Sequence, residues 1–168
     1  ITSNGRPYDL KLLIVHLKAG STGEDADRRR AGCVLMKTYL DQQAALDPEA
    51  NFMIAGDWND ILNDPISDSS FPVFLNDSSD YKFLNLSMVG RNDLASHASN
   101  RMIDHLMINK AACPDFSTGR VTTLRLDLLV SGYSNDLDTD IRQSRLQFVE
   151  RQLITQQVAG EHKISRLA

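Results

Sequence analysis

The sequence predicts a mixed α/β fold within one domain, and two patterns carry that prediction. Apolar runs of strand length recur along the chain, and they stop at glycine or at polar residues. A longer stretch, Asp25–Ala44, is interpreted as a helix because its apolar residues recur at helical spacing. With 168 residues, the chain has the size of a single domain.

The first predicted strand, Lys11–Leu17, has an apolar interior and is followed by Lys18, with His16 near its end. An isolated histidine in such a strand is more often hydrogen-bonded within a core than active in catalysis. His16 is therefore a candidate site residue only if other polar residues join it.

The second predicted strand, Asn51–Ala55, stops at a glycine and is followed by Asp57-Trp58-Asn59-Asp60. Alternate residues of an extended chain point to the same side, so Asp57 and Asn59 would project together. The carboxylate can hold a divalent metal or activate water, and the carboxamide can orient a phosphate oxygen or the water. An Asx turn at the end of a strand would explain the same residues without a function, and the motif alone leaves both interpretations open.

The third predicted strand, Arg101–Ile108, is apolar but contains Asp104 and His105. An unpaired, ionised carboxylate is costly inside a protein, so Asp104 is difficult to explain as a packing residue. His105 follows it directly and would point to the opposite face of the strand. The polar composition of the preceding loop, Ser78–Asn100, is typical of a surface connection that can face a substrate.

The remaining predicted elements are a short helix at Phe71–Asn76, a strand at Arg120–Val130 and an amphipathic tail helix at Ile141–Val158. Residues 142–168 carry five basic and two acidic side chains, whereas the whole chain has a net charge of −4. This shift in composition fits either a replaced terminus or a C-terminal helix that belongs to the domain, and the sequence leaves both open.

Bulk composition argues against several classes of protein. No apolar run is long enough to resemble a membrane span. Cys33 and Cys113 form no metal-binding or disulfide pattern and are expected to be packing residues. The acidic net charge opposes tight non-specific binding of DNA, although a phosphate-binding cleft can still be locally basic.

The three strands read, in chain order, His-Leu-Lys at 16–18, Gly-Asp-Trp-Asn at 56–59 and Ile-Asp-His at 103–105. The order of these three motifs resembles that of the endonuclease/exonuclease/phosphatase superfamily. Its members include deoxyribonuclease I, apurinic endonucleases, inositol polyphosphate phosphatases and neutral sphingomyelinases. The match covers roughly residues 7 to 141 and resembles the C-terminal half of that domain.

The resemblance implies a deoxyribonuclease I-like fold, an α/β (α+β) architecture with a mainly antiparallel sheet. Residues 1–141 would form a partial four-layer α/β/β/α sandwich, and residues 142–168 would form a divergent, helical tail. The family places an asparagine and a metal-binding glutamate before the His-Leu-Lys strand, but only fifteen residues precede His16 and none is glutamate. The family's terminal Ser-Asp-His motif is also missing where the chain reads Ile141–Arg145. A sheet face left uncovered by a truncated domain would favour self-association.

The resemblance also implies hydrolysis of a phosphoester with the help of Mg²⁺ or Mn²⁺, as water attacks phosphorus in line. Asp57 would activate the water or hold the metal, Asn59 would hold the phosphate or the water, and His16 would donate a hydrogen bond to a phosphate oxygen. Asp104 would orient a later histidine, for which this sequence has no matching residue. The substrate would be a nucleic acid, an inositol phosphate or a phospholipid head group. The alternative is a catalytically incomplete remnant or a binding module with the same fold.

Overall fold

The structure, a computed structural model, describes residues 2–3, 6–7, 9–65, 68–97, 100–116, 121–125, 142–148 and 153–159. The described strands are β1 (Thr2–Ser3), β2 (Arg6–Pro7), β3 (Leu10–His16), β4 (Asn51–Asp57), β5 (Tyr81–Phe83), β6 (Asp104–Asn109), β7 (Val121–Arg125), β8 (Arg142–Phe148) and β9 (Leu153–Ala159). The described α-helices are α1 (Gly23–Leu46), α2 (Pro72–Leu75) and α3 (Cys113–Phe116). Short 3₁₀ helices lie at Leu86–Met88, Asn92–Leu94 and Lys110–Ala112.

Four strands form the central sheet, in the spatial order β3-β4-β6-β5. β3 and β4 run parallel, and α1 makes the crossover that parallel neighbours require. β6 runs antiparallel to both of its neighbours, β4 and β5. The protein is thus a mixed α/β structure with a mostly antiparallel sheet, as predicted at this level. A second antiparallel sheet contains β7, β8 and β9.

Helix α1 begins with a capping box that the local sequence encodes. The hydroxyl of Thr22 accepts a hydrogen bond from the backbone N–H of Asp25, and the Asp25 carboxylate accepts one from the backbone N–H of Thr22, both at 3.2 Å. The buried face of the helix carries Arg29, Cys33 and Leu40 at helical intervals. The predicted helix is confirmed, and its buried face includes a charged residue.

Apolar clusters cover both faces of the central sheet. One cluster lies between the sheet and α1, where the indole of Trp58 packs edge-on against Phe71, Phe74 and Phe83. The other lies on the opposite face, to which α3 contributes Phe116. Because both faces are covered, β4 and β6 are almost entirely buried, which explains why they appear in the sequence as continuous apolar runs.

Most of the other predicted elements are confirmed within a few residues. The predicted strands Lys11–Leu17, Asn51–Ala55 and Arg101–Ile108 correspond to β3, β4 and β6, and the short helix Phe71–Asn76 corresponds to α2. The strand predicted at Arg120–Val130 is confirmed over β7, and residues 126–130 lie outside the described part of the chain. None of the described helices is both long and apolar enough to cross a lipid bilayer.

The loop predicted at Ser78–Asn100 contains a strand that the sequence did not reveal. Lys82 of β5 pairs with Ile108 of β6. Tyr81 and Phe83 are buried and Lys82 is exposed, which is the alternation expected of a strand. Three residues are too few for this period to be recognised in the sequence.

The helix predicted at Ile141–Val158 is wrong for the residues that the structure describes there. β8 and β9 form an antiparallel pair instead, in which Leu146 lies opposite Thr155 and Phe148 lies opposite Leu153. Leu146 and Phe148 are two residues apart, which is the interval of a strand. A short apolar pattern fits both periods, and here pairing with a neighbouring strand decides between them.

We expect Gly56→Ala to destabilise the protein. Gly56 has φ 139°, and an added Cβ would lie 2.0 Å from the carbonyl oxygen of Val15, so the backbone of β3 or β4 would have to move. The free energy of unfolding, measured by urea denaturation, should fall by more than about 2 kcal/mol. Gly23→Ala is the control, because a Cβ there meets no atom within 4 Å. Equal effects of the two substitutions would contradict this role of Gly56.

Candidate active site

Strand register brings three of the predicted site residues to one end of the central sheet. His16 ends β3 and lies beside Asp57, which ends β4, and Asp57 lies opposite Asp104, which begins β6. The imidazole Nε2 of His16 is 3.7 Å from Oδ2 of Asp57. The His16 side chain is largely exposed, whereas that of Asp57 is mostly buried. The three residues therefore meet at one end of the sheet.

Asn59 reaches the site through a tight turn. The expectation that Asp57 and Asn59 alternate along one extended strand is wrong, because β4 ends at Asp57. β4 ends at Asp57, whose Oδ1 accepts a hydrogen bond from the backbone N–H of Asn59 at 2.8 Å. Asn59 has a left-handed φ of 52°, and its side-chain amide donates to the carbonyl oxygen of Leu17 at 2.9 Å. The Asx turn and the grouping of polar side chains are both present, so the two interpretations of this motif are compatible.

Asp104 is a carboxyl group in surroundings that disfavour its charge. Burial raises the pKa of Asp104 to about 7, a hydrogen bond from the Ser96 side chain opposes the rise, and the negative charge of Asp57 adds to it. The hydroxyl oxygen of Ser96 also accepts the backbone N–H groups of Ile103 and Asp104, at 3.0 and 3.1 Å. Ser96 therefore anchors the start of β6, where the two carboxyl groups approach each other.

His105 is a core residue, as its position next to Asp104 on the strand predicts. Its Nδ1 accepts from the side-chain amide of Asn85 at 3.0 Å, which leaves Nε2–H to donate to the carbonyl oxygen of Asp60 at 2.9 Å. Burial lowers the pKa of His105 to about 4, so the ring is neutral at pH 7. Its face of the strand and its full burial prevent it from replacing the family's terminal histidine.

A buried ion pair that the sequence did not reveal joins Arg29 of α1 to Asp60. Arg29 Nε lies 3.8 Å from Asp60 Oδ2, and the two side chains are 7% and 5% exposed. Backbone N–H groups of Ile61 and Ser70 donate to the Asp60 carboxylate, each at 2.9 Å. One feature of the sequence indicates that Arg29 faces inward: it lies one helical turn before Cys33, an expected packing residue. Helical patterns normally assign charged residues to the solvent-facing side, so this signal was outweighed.

The site offers a small set of possible metal ligands. In the part of the chain that the structure describes, no three His, Cys, Asp or Glu side chains are grouped so as to hold a metal ion. Asp57 and Asp104 supply two carboxyl groups on neighbouring strands. Mg²⁺ is commonly held by only one or two carboxylates, with water and substrate phosphate as its other ligands. This donor set therefore fits a hard cation that is bound together with a phosphate.

Two surface cavities, of about 650 and 790 Å³, lie away from this site. The first borders β5, and the second lies between α1 and the residues that follow β6. Neither is lined by His16, Asp57, Asn59 or Asp104. The candidate site is thus formed by strand ends and turns, apart from these two cavities.

Comparison with known proteins leaves the family open. The chain matches no family model, no curated protein and no solved structure.

We expect Asp104→Asn to make the protein more stable above pH 7. The folded state binds the Asp104 proton more tightly than the unfolded state does, so this group reduces stability as pH rises from about 4 to 7. His105 acts in the opposite direction between about pH 4 and 6.5, because its pKa is lowered on folding. The wild type should therefore show a shallow pH dependence up to pH 6.5, and Asp104→Asn should become steadily more stable over that range.

Urea denaturation between pH 4 and pH 8, in the presence of a chelator, measures this effect. At pH 8 the variant should exceed the wild type by roughly 1–3 kcal/mol, since a tenfold change in proton affinity corresponds to about 1.4 kcal/mol. Asp93→Asn is the control, because Asp93 is exposed, pairs with Arg91 and has a lowered pKa. If Asp93→Asn raised the free energy of unfolding at pH 8 as much as Asp104→Asn does, burial of Asp104 would not be the cause.

Proposed function

We propose that this protein is a metal-assisted phosphoester hydrolase of the endonuclease/exonuclease/phosphatase type. The observation that supports the proposal best is the strand register that places His16 and Asp104 on either side of Asp57. The same residues carry the motif resemblance. An imidazole and two carboxyl groups at one sheet end have the chemistry required to bind a phosphate and activate water.

The proposal extends to the architecture. We propose that the central sheet, with α1 on one face, is one half of a four-layer α/β/β/α sandwich. The support is the face opposite α1, which is apolar and buried at Met53 and Leu106 but not covered at β3. β3 also exposes Leu12 and Ile14, which are 43% and 62% accessible. An apolar sheet face is normally covered by a second layer.

Each polar group has a distinct role in the proposed hydrolysis. Asp57 accepts the proton of the attacking water, the new bond forms between the water oxygen and phosphorus, and the phosphorus bond to the leaving oxygen breaks. His16 donates a hydrogen bond to a phosphate oxygen on which negative charge increases. The amide oxygen of Asn59 orients the water, while its amide N–H₂ remains bound to the carbonyl oxygen of Leu17.

Mg²⁺ or Mn²⁺ would be held by Asp57, with Asp104 beside it. When bound, a divalent cation offsets negative charge on the phosphate. In the family, the residue matched by Asp104 orients a histidine, and this chain has no Ser-Asp-His sequence to provide one. Asp104 therefore contributes its carboxyl group to the site itself in this proposal. The substrate classes remain those implied by the resemblance: nucleic acid, inositol phosphate or phospholipid head group.

A second candidate function is a non-enzymatic binding module of the same fold. It is favoured by the small number of metal ligands that the described residues bring together. Such a module would bind phosphate through His16 and the nearby amides without turnover. The two candidates differ in one property, which is hydrolysis that a chelator abolishes.

We expect Asp57→Ala to lower the rate of hydrolysis by about 10²–10⁴-fold, because it removes the group that accepts the proton. The assay is release of nitrophenol from bis(p-nitrophenyl) phosphate and p-nitrophenyl phosphate with Mg²⁺ or Mn²⁺, compared with a chelator control. Asp93→Ala, which removes an exposed carboxylate elsewhere, should keep the wild-type rate. The absolute wild-type rate should be low, because the described residues bring no three possible metal ligands together. No chelator-sensitive hydrolysis by the wild type would reject the enzyme in favour of the binding module.

We also propose that the isolated chain self-associates through the open edge of β3. In the described sheet, β3 has a strand neighbour on one side only, and Leu12 and Ile14, which lie on the sheet face beside that edge, are exposed. Ile14→Lys should lower the apparent mass in light scattering during gel filtration. Leu35→Lys is the control, because Leu35 is also apolar and exposed but lies on α1. A wild type that is monomeric at all concentrations tested would contradict the proposal.

A further inference from the structure

We infer that Arg29 is a positioning residue for Asn59, and that it acts by joining the two loops that follow β3 and β4. The inference rests on the proposed function, in which Asn59 orients the attacking water. Arg29 belongs to α1 and contacts neither the water nor the phosphate in that proposal. Its effect on the reaction would pass entirely through the loops.

Arg29 binds both loops with a single guanidinium group. Its Nη1 donates to the carbonyl oxygens of Lys18 and Gly20, at 3.1 and 2.9 Å, in the loop after β3. Its Nε donates to the hydroxyl of Ser70 at 3.1 Å and lies 3.8 Å from the carboxylate of Asp60, both in the segment after β4. The planar, fork-shaped arrangement of N–H donors is what allows one side chain to make these contacts together.

Asn59 makes a second connection between the same loops, next to the first. Its side-chain amide donates to the carbonyl oxygen of Leu17. Leu17 immediately precedes Lys18, and Asn59 immediately precedes Asp60, so Arg29 contacts the residue that follows each end of this hydrogen bond. Asn59 also has a left-handed φ of 52°, a conformation that asparagine adopts more readily than most residues. Without Arg29, the residue that follows each end of the Leu17–Asn59 hydrogen bond would lose its contact with the guanidinium group.

Burial makes the Arg29 connection specific. Arg29, Asp60 and Ser70 are 6%, 3% and 1% exposed. A buried charge is tolerated only when it is paired and hydrogen-bonded, so the guanidinium permits few arrangements of the loops around it. An apolar side chain could fill the same space, but it would not fix the positions of the loop carbonyl groups. The ion pair therefore selects one loop geometry, and this geometry places Asn59.

A double-mutant cycle of Arg29→Lys and Asn59→Ala tests the inference by activity. Arg29→Lys keeps a positive charge near Asp60 but replaces the fork with one ammonium group. We expect kcat for bis(p-nitrophenyl) phosphate with Mn²⁺ to fall about 10–100-fold, because small errors in placing a reacting group are costly, and KM to change less than about 2-fold. In the Asn59→Ala background, the same substitution should change kcat less than about 2-fold. Equal losses in both backgrounds would indicate a purely structural role and overturn the inference.

Arg28→Lys is the matched control, because Arg28 is the neighbouring helix residue, is mostly exposed and pairs with Glu24. It should leave kcat unchanged. Ser70→Ala is the milder variant if Arg29→Lys does not fold, since it removes one acceptor and retains both charges. It should lower kcat several-fold, and only when Asn59 is present. A loss that persists in the Asn59→Ala background would overturn the inference here too.

A second measurement does not depend on activity. The side-chain amide of Asn59 can be assigned in ¹H–¹⁵N spectra by its disappearance in Asn59→Ala, and its exchange with water can then be measured. Exchange should rise at least about 10-fold in Arg29→Lys and remain unchanged in Arg28→Lys. Unchanged exchange in a folded Arg29→Lys protein would overturn the inference. Faster exchange in a protein without chelator-sensitive hydrolysis would retain the link between Arg29 and Asn59 and reject the proposed function.

Discussion

The parallel pairing of β3 with β4 determines where the candidate site lies. In this register His16 stands beside Asp57, and the backbone N–H of Leu17 continues the pairing by donating to the carbonyl oxygen of Asp57 at 2.9 Å. A shift of one residue would place His16 on the opposite face of the sheet. Gly56 permits the strands to approach each other at this point, because any Cβ there would overlap the carbonyl group of Val15. The imidazole and the carboxylate are thus brought together by backbone geometry.

The segment Asp57-Trp58-Asn59-Asp60 divides its residues between the site and the core. Asp57 and Asn59 face the turn at the sheet end, whereas Trp58 and Asp60 are 0% and 3% exposed. The backbone N–H of Trp58 donates to the carbonyl oxygen of Ile103, which ties this segment to the entry of β6. Buried polar groups are stable only when they are hydrogen-bonded, so these contacts fix the turn as firmly as apolar packing does. One short motif therefore supplies functional groups and also the anchors that orient them.

The sequence predicted the parts of the site that local patterns encode. His16, Asp57 and Asp104 stand at strand ends, and strand ends can be recognised from apolar runs and the residues that stop them. The turn at Asn59 was one of two interpretations that the motif left open. The Arg29–Asp60 pair joins residues that are far apart in the chain, and the one local indication, the helical interval between Arg29 and Cys33, is outweighed because charged residues of a helix normally face solvent.

The errors have the same origin. β5 is too short for an alternating pattern to appear, and its strand conformation depends on pairing with β6. The predicted tail helix is wrong because Leu146 and Phe148 belong to β8, which pairs with β7 and β9. Spacing within a segment does not contain this information, since a few apolar residues are compatible with either period. Tertiary pairing decided both cases.

The pair of carboxyl groups at Asp57 and Asp104 bears on the choice between an enzyme and a binding module. The two residues lie opposite each other on adjacent strands, and the pKa of Asp104 is raised mainly by burial, with a smaller contribution from the charge of Asp57. Such a pair is costly when both groups are ionised, and either a proton or a divalent cation relieves the cost. A module that binds phosphate gains nothing from two negative groups beside the anion, because they repel it. A hydrolase that uses a hard cation gains a ligand from each of them. Perturbed acids of this kind are concentrated at functional sites, which agrees with the proposed hydrolase.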